Sequence, residues 1–170
     1  MHFSSGINRP PYEAQDGYLQ VTSGCSHGKC EFCTFYKDAP FRVSPLEEIE
    51  ADIRELAESG WVFKRLYLQG ADPFILSYER LMEIADMVYQ YLPWVTSIGG
   101  YARVDNLKNK SVDELRKLKE AGYSNFYFGN ETGDDFLLER MNKGYKAEVI
   151  VEELSKLDEA DMEYICNFLG

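Results

Sequence analysis

Three of the four cysteines in the chain lie within nine residues of one another, in the stretch GCSHGKCEFC at positions 24–33. Cys25, Cys30 and Cys33 follow a C-x4-C-x2-C spacing, so a single loop can bring three thiolates to one centre. In a reducing compartment such a group more often binds a metal or takes part in catalysis than forms disulfides. The loop is therefore predicted to hold a metal ion or a metal cluster.

Three kinds of metal site fit this spacing. A structural zinc ion would need a fourth ligand, from His27 inside the loop or from the distant Cys166. An iron–sulfur electron carrier is the second possibility, because plant-type ferredoxins use the same spacing. The third is a cluster held by three cysteines, which leaves one coordination position open, as a catalytic site requires. Cys166 alternates with apolar neighbours and is predicted to be a small core residue. His27 is predicted to shape the loop or to face solvent.

Stretches rich in β-forming residues alternate with amphipathic stretches along the chain. We predict strands at 18–22, 62–70, 95–102, 125–131 and 162–170, with helices at 44–60, 77–92, 111–122, 134–141 and 147–158. Ser44 with Glu47, and Ser111 with Glu114, have the spacing of helix capping boxes. This alternation predicts an α/β fold with right-handed βαβ units and a parallel sheet of about four and a half such units. Residues 1–17 are expected to form an N-terminal arm and residues 18–170 one domain.

Functional groups of parallel βα folds collect at the carboxyl ends of the strands. Polar, glycine-rich and cysteine-bearing segments follow four of the predicted strands, namely SGCSHGKCEFC, QGADPF, GGYARVDNL and GNETGDD. They should therefore meet on one rim, which is predicted to be an active site. These further rim segments would have no role in a simple electron carrier, and plant-type ferredoxins are mostly β proteins.

The overall charge and hydropathy exclude several classes of partner. The formal net charge is −11, which should repel the phosphate backbone of nucleic acids. The chain has no apolar run of about eighteen residues, so no membrane span is expected. Its polar, proline-containing N-terminus does not have the pattern of a signal peptide, so a cytoplasmic location is expected.

With these rim segments assembled, the sequence resembles the radical S-adenosylmethionine superfamily from about residue 9 to residue 170. The cysteine loop follows the first strand and carries an aromatic residue, Phe32, before its last cysteine. LQGADPF resembles the glycine-rich motif of the family after strand two, and YARVDNL resembles its third-strand segment. GNETGDDFLLERMNKGY resembles the G-x-E-S-G stretch followed by a lysine–glycine turn, and RPPYEAQDGYLQVTSGCSHGKCEFCTFYKDAPFR resembles the opening of a poorly characterised branch.

The resemblance implies a fold, two cofactors and a reaction. The fold would be a partial TIM-type barrel, and the cofactors a 4Fe–4S cluster and S-adenosylmethionine. Reductive cleavage of S-adenosylmethionine would give a 5′-deoxyadenosyl radical that abstracts hydrogen from an unknown substrate. A reductant such as a flavodoxin or a ferredoxin would be a partner. The cluster ligands would be Cys25, Cys30 and Cys33, and the cofactor contacts would come from Gly70, Ala71, Asp72, Arg103, Glu131, Thr132 and Tyr36.

The resemblance also implies a role for each cofactor contact. Residues 70–72 would receive the amino group of the methionine moiety. Arg103 would pair with its carboxylate, although an ion pair with Asp105 explains this arginine equally well. Glu131 and Thr132 would contact the ribose or the amino group, and Tyr36 would lie near the adenine.

Three features depart from the family pattern. The family usually has C-x3-C-x2-C, one residue shorter, and Gly-Gly-Glu where this chain has Gly70-Ala71-Asp72. The family core has six βα units, whereas this sequence stops at its fifth strand, so it is expected to be a truncated or minimal chain. The missing strand would leave an exposed sheet edge, which predicts association of the chain with a partner such as a second copy.

Overall fold

The computed structural model describes residues 1–169 of the chain, and its centre is a five-stranded parallel sheet. The elements in chain order are β1 (Gly17–Gln20), β2 (Thr22–Ser23), β3 (Arg42–Val43), α1 (Leu46–Glu58), β4 (Arg65–Gln69), α2 (Tyr78–Tyr91), β5 (Ser97–Ala102), α3 (Val112–Glu120), β6 (Phe126–Glu131), α4 (Asp135–Arg140), α5 (Ala147–Glu159) and β7 (Tyr164–Phe168). The sheet order is β1-β4-β5-β6-β7, with every neighbouring pair parallel. The predicted α/β fold with a parallel sheet is therefore confirmed. The predicted fifth strand and domain extend to position 170, which lies outside the described residues.

The helices pack against the face of the sheet to which the aliphatic side chains point. On β4, Leu66 and Leu68 are fully buried and belong to the main hydrophobic core. Ile49 and Ile53 of α1 and Ile84 of α2 join the same core, because their helical spacing places them on one face. Burial of these aliphatic side chains holds the βαβ units together.

One predicted capping box is confirmed and the other is wrong. The Ser111 hydroxyl accepts a hydrogen bond from the backbone N–H of Glu114, whose carboxylate accepts one from the backbone N–H of Ser111. At α1, by contrast, Pro45 is the N-cap residue and no side chain caps the helix. The backbone N–H of Ser44 instead donates to the carbonyl of Val21 at 3.0 Å, which joins this serine to the segment after β1.

The N-terminal arm covers the opposite face of the sheet. The backbone N–H of Ser4 donates to the side-chain oxygen of Gln20, and that of Asn8 donates to the side-chain oxygen of Gln69. The buried carboxylate of Glu13 accepts hydrogen bonds from Arg65 on β4 and from Tyr127 on β6. The arm is thus packed against the inner face of the sheet. Its separation from the barrel as a distinct unit stays a prediction.

Within residues 1–169, β1 and β7 are the outer strands of the main sheet. Both β1 and β7 pair with a single neighbour within residues 1–169. Phe168 at the end of β7 is 62% exposed. None of the helices in this part of the chain is long and apolar enough to cross a membrane.

Candidate active site

The cysteine loop is closed at its base by a short antiparallel ladder. In this ladder Thr22 pairs with Val43, and Ser23 with Arg42, so the two ends of the loop are held side by side. Gly24 follows with a φ of +66°, and a Cβ atom there would lie 2.6 Å from the carbonyl oxygen of Ala39. Only glycine fits this close approach without strain. The chain therefore leaves β1 in a tight turn that places Cys25 at the carboxyl edge of the sheet.

The segment after β4 holds the first half of the cysteine loop. The backbone N–H of Ala71 donates to the carbonyl of Gly24 at 3.0 Å. The carboxylate of Asp72 accepts hydrogen bonds from the backbone N–H of Ser26 at 3.1 Å and from the hydroxyl of the same serine. The side-chain amide of Asn106 donates to the same carboxylate at 3.4 Å, at the oxygen that also accepts from the Ser26 hydroxyl. Asp72 thus joins the cysteine loop to the turn after β5.

The segment after α4 holds the second half of the loop. The His27 ring nitrogen Nε2 lies 2.7 Å from the carbonyl oxygen of Asn142, and the backbone N–H of Glu31 donates to the carbonyl of Met141 at 3.0 Å. His27 therefore shapes the loop, as the sequence predicts. The loop is tied to elements on both sides, so its conformation depends on the tertiary structure.

All three loop cysteines line one cavity of about 770 Å³ at the carboxyl edge of the sheet. Cys30 is buried, Cys25 and Cys33 are partly exposed, and none of them forms a disulfide. The cavity also contains residues from the N-terminal arm and from the ends of β4, β5 and β6. Its lining residues are Ile7, Asn8, Arg9, Tyr18, Cys25, Cys30, Phe32, Cys33, Phe35, Tyr36, Ala71, Tyr101, Ala102, Arg103, Tyr127, Gly129, Glu131, Lys143, Asn167 and Leu169.

Four of the seven predicted cofactor contacts line this cavity, namely Tyr36, Ala71, Arg103 and Glu131. The other three, Gly70, Asp72 and Thr132, lie next to it in the chain. Gly70 packs against the backbone and side chain of Thr22 with a φ of +115°. Asp72 is fully buried under the cysteine loop, and the hydroxyl of Thr132 accepts a hydrogen bond from the backbone N–H of Asp134. Their roles toward a cofactor stay predictions.

Arg103 is fixed by several partners at the end of β5. Its guanidinium forms a two-pronged ion pair with Asp105, at 3.0 and 3.1 Å, and donates to the carbonyl of Lys143 at 2.8 Å. Its Nη1 atom lies 4.0 Å from Sγ of Cys30, and its guanidinium packs over the ring of Tyr145. Although burial opposes the charged form, the ion pair with Asp105 raises the pKa of Arg103. Arg103 thus keeps a positive charge beside the cysteine loop.

Glu131 and Lys143 form a buried ion pair in the wall of the cavity. Lys143 Nζ lies 2.8 Å from the Glu131 carboxylate, and both side chains are largely shielded from water. Glu131 has a φ of +68°, a left-handed conformation that costs a non-glycine residue about 1–3 kcal/mol. The strain is offset by this pair and by the backbone hydrogen bond from Leu169 to the Glu131 carbonyl. Sequence reasoning missed Lys143, because its distance in the chain gave no sign of the contact.

Aromatic side chains form much of the cavity wall. Tyr36 is 8% exposed, and burial raises its pKa to about 12, so its phenol stays protonated at neutral pH. The rings of Tyr101 and Tyr127 contact each other, with their centroids 6.0 Å apart. Phe32 and Phe35 of the cysteine loop are exposed on the other side of the cavity. An aromatic wall of this kind can pack against a flat ring such as adenine.

Burial also sets the protonation of two groups beside the loop. Burial raises the pKa of the Cys25 thiol, and a hydrogen bond from the backbone N–H of Gly28 to its sulfur opposes this rise. Burial likewise raises the pKa of Asp72, although hydrogen bonds from Ser26 act in the opposite direction. Thiolates are the form that binds metal, so a cation at this position would displace the Cys25 proton.

The three cysteines supply thiol ligands that either a cluster or a single metal ion can use. A zinc ion needs all its thiolates within about 2.3 Å of one point. In an iron–sulfur cluster each cysteine binds a different iron, so the thiolates are spread more widely. Three free thiols from a single loop line one cavity and supply the ligand set that such a cluster needs.

Curated proteins resemble the chain over most of its length. It is 29% identical to the heme chaperone HemW of Bacillus subtilis over 147 residues, which cover 83% of this chain and 38% of that protein. It is 26% identical to the threonylcarbamoyladenosine tRNA methylthiotransferase MtaB of Rickettsia prowazekii, over 82% of this chain and 34% of that protein. The chain thus spans little more than a third of the length of these relatives.

Solved structures show the same fold at low sequence identity. The cobalamin-dependent S-adenosylmethionine radical enzyme OxsB, solved with aqua-cobalamin and S-adenosylmethionine bound, matches with a TM-score of 0.71 and 18% identity. The match covers 89% of this chain and 23% of OxsB. The radical S-adenosylmethionine methyltransferase TsrM of Kitasatospora setae, with cobalamin and a [4Fe-4S] cluster bound, matches with a TM-score of 0.68 and 17% identity, over 98% of this chain and 34% of TsrM.

The family assignment follows from the sequence of the barrel itself. The family model of the Radical SAM superfamily matches residues 19–169, which include the cysteine loop and the ends of all five strands of the main sheet. This range contains the cysteine loop and the segments after β4, β5 and β6, on which the resemblance to the family rests. The chain belongs to the Radical SAM superfamily.

Proposed function

We propose that the chain binds a 4Fe–4S cluster through Cys25, Cys30 and Cys33 and binds S-adenosylmethionine in the adjoining cavity. When bound, the cluster supplies the electron that cleaves S-adenosylmethionine to a 5′-deoxyadenosyl radical, which abstracts a hydrogen atom from the substrate. The observation that carries this proposal is the convergence of three free thiols on one cavity with the ends of β4, β5 and β6.

The residues of the rim would orient S-adenosylmethionine and exclude water. The backbone at Gly70 and Ala71 would face its amino group, while Asp72 holds the neighbouring loop. Arg103 would supply positive charge beside the carboxylate, and Glu131 and Thr132 would lie near the ribose or the amino group. Lys143 pairs with Glu131 at 2.8 Å and would orient its carboxylate in the cavity wall. Tyr36 would pack near the adenine.

The proposal includes partners and a location. A flavodoxin or a ferredoxin would supply the electron, and a reducing cytoplasm would keep the thiols free. The open edge of β7 could pair with a second copy of the chain, since an unpaired strand presents free N–H and C=O groups. Sedimentation at several concentrations tests this pairing, and a monomer at all of them would contradict it.

The experiment compares two cysteine variants. The protein is purified without oxygen, reconstituted with iron and sulfide, reduced, and assayed for 5′-deoxyadenosine formed from S-adenosylmethionine. We expect the native chain to form the product and Cys30→Ala to lose both product and most of its iron. Cys166→Ala is the matched control, because Cys166 lies on β7 and does not line the cavity. It should keep both.

Two other outcomes would favour the alternatives. An iron–sulfur electron carrier is supported by the ferredoxin-like spacing of the cysteines, and it would show the colour of a cluster without product. A zinc-stabilised binding module would bind one zinc ion and no iron. One bound zinc ion without iron would refute the cluster. Cluster colour without product would refute the cleavage reaction for the chain as it stands.

A further inference from the structure

The charged residues that line the cavity are paired, with one exception. Arg103 pairs with Asp105, and Lys143 pairs with Glu131. Arg9 also lines the cavity, but it forms no ion pair with any residue of the described chain 1–169. A partly buried guanidinium without a carboxylate partner is solvated by water or meets a bound anion. Arg9 is therefore the one charged residue of the cavity lining whose charge no side chain of residues 1–169 neutralises.

The backbone around Arg9 is held in place by its neighbours. The backbone N–H of Asn8 donates to the side chain of Gln69 at 3.2 Å, and the buried Pro10 begins a turn in which its carbonyl accepts from Glu13. The guanidinium of Arg9 packs over the ring of Tyr18, 5.5 Å from the ring centroid. A side chain fixed in this way loses less conformational entropy when it binds a ligand.

Arg9 belongs to the N-terminal arm and not to the segments that follow the strand ends. It contacts Tyr18, which pairs with Tyr67 in the middle of β4, whereas Ala71 and the cysteines follow the strand ends. Tyr101 and Tyr127 also line the cavity. Arg9 and these aromatic rings therefore share one cavity with the cysteine loop, and Arg9 enters it from the N-terminal arm.

We propose that Arg9 binds an anionic group of the substrate, a carboxylate or a phosphate, while the aromatic wall packs against the apolar body of the molecule. This inference rests on the proposed function, since it names the substrate class of the same cavity. Arginine suits this task because its guanidinium donates two parallel hydrogen bonds to either anion. The N-terminal arm would then supply a substrate-binding residue.

The experiment measures binding of three probes to the reconstituted protein by calorimetry: phenyl phosphate, benzoate and the neutral benzyl alcohol. We expect at least one anion to bind more tightly than benzyl alcohol, and the stronger of the two identifies the anionic group. Arg9→Gln should weaken the binding of that anion by about tenfold to a hundredfold in Kd, because this is the range for the loss of a hydrogen bond to a charged group. Arg9→Lys, which keeps the charge, should lose less.

The matched control is Arg116→Gln, an exposed arginine of α3 that pairs with Asp113 on the outer surface. It should bind the anion as the native chain does. Urea midpoints of both variants check that each is folded. Absence of saturable anion binding by the native chain, or equal anion binding by Arg9→Gln and Arg116→Gln, would overturn the proposal.

A separate titration with S-adenosylmethionine distinguishes the two proposals. If Arg9→Gln weakens the binding of S-adenosylmethionine as much as it weakens the binding of the anion, Arg9 binds the carboxylate of the cofactor. The substrate assignment is then overturned. The proposed function would survive that result, because it depends on product formation by the native chain. Failure of the native chain to form 5′-deoxyadenosine, with anion binding at Arg9 intact, would refute the proposed function alone.

Discussion

Replacement of Asp72 by alanine tests how the cysteine loop is held. Asp72 is fully buried, and its carboxylate accepts two hydrogen bonds from Ser26 and lies 3.4 Å from the amide of Asn106. A hydrogen bond to a charged group contributes about 1.5–3 kcal/mol, so the two bonds from Ser26 amount to about 3–6 kcal/mol. Burial raises the pKa of Asp72, which means that desolvation offsets part of this gain. We expect Asp72→Ala to lower the free energy of unfolding by about 2–4 kcal/mol.

Two measurements follow the effect of this substitution. Urea unfolding of the cluster-free protein gives the change in stability, and iron per chain after reconstitution gives the effect on the loop. Asp161→Asn is the control, because its side chain is 93% exposed and its partner is Lys119, and because asparagine, like aspartate, tolerates the φ of +53° at this position. It should change stability by less than about 0.5 kcal/mol. If Asp72→Ala unfolds at the same urea concentration as Asp161→Asn and binds as much iron, the carboxylate does not hold the loop and the reasoning is wrong.

Two further predictions concern backbone strain and pH. Gly70→Ala should lower the free energy of unfolding in urea by about 2–5 kcal/mol. The reason is that Gly70 has a φ of +115° and that a Cβ atom there would lie 2.1 Å from the Thr22 hydroxyl. Gly133→Ala is the control and should be nearly neutral, because its Cβ atom would meet nothing within 4 Å. Burial next to Glu13 raises the pKa of Asp16 to about 7. The folded chain then binds more protons than the unfolded chain between about pH 4 and pH 7, so this group makes stability fall as pH rises through that window. Asp16→Asn should flatten the fall in urea midpoints between pH 5 and pH 7.5, and an unchanged slope would contradict it.

Much of the fold could be predicted from local patterns in the sequence. The helical spacing of apolar residues predicted α1, α2 and the face that each helix buries. Side chains three and four residues apart lie on the same side of a helix. Short alternations of strand and helix predicted the parallel sheet, since a right-handed crossover is the common way to connect such strands. The start of α1 was the exception, because the contact of Ser44 with Val21 is not local and competed with capping.

The candidate site was predicted in part. The cysteine triad and the order of the rim segments followed from the sequence, because all parallel strands end at the same edge. The pairing of Lys143 with Glu131 and the position of Arg9 in the cavity were not predicted. The face of the sheet on which the arm packs was not predicted either, because it depends on the polar side chains of Gln69 and Arg65, which lie far from the arm in the chain.

The sequence by itself thus determined the chemistry available to this protein: three closely spaced thiols, glycines at tight turns, and the α/β alternation that brings them to one edge. These features depend on covalent spacing and local backbone preference, which are written in consecutive residues. The tertiary structure decided which charges are paired, which carboxyl groups are buried, and that the arm closes the cavity with Arg9. Such features arise from contacts between residues far apart in the chain, which only packing of the whole molecule specifies.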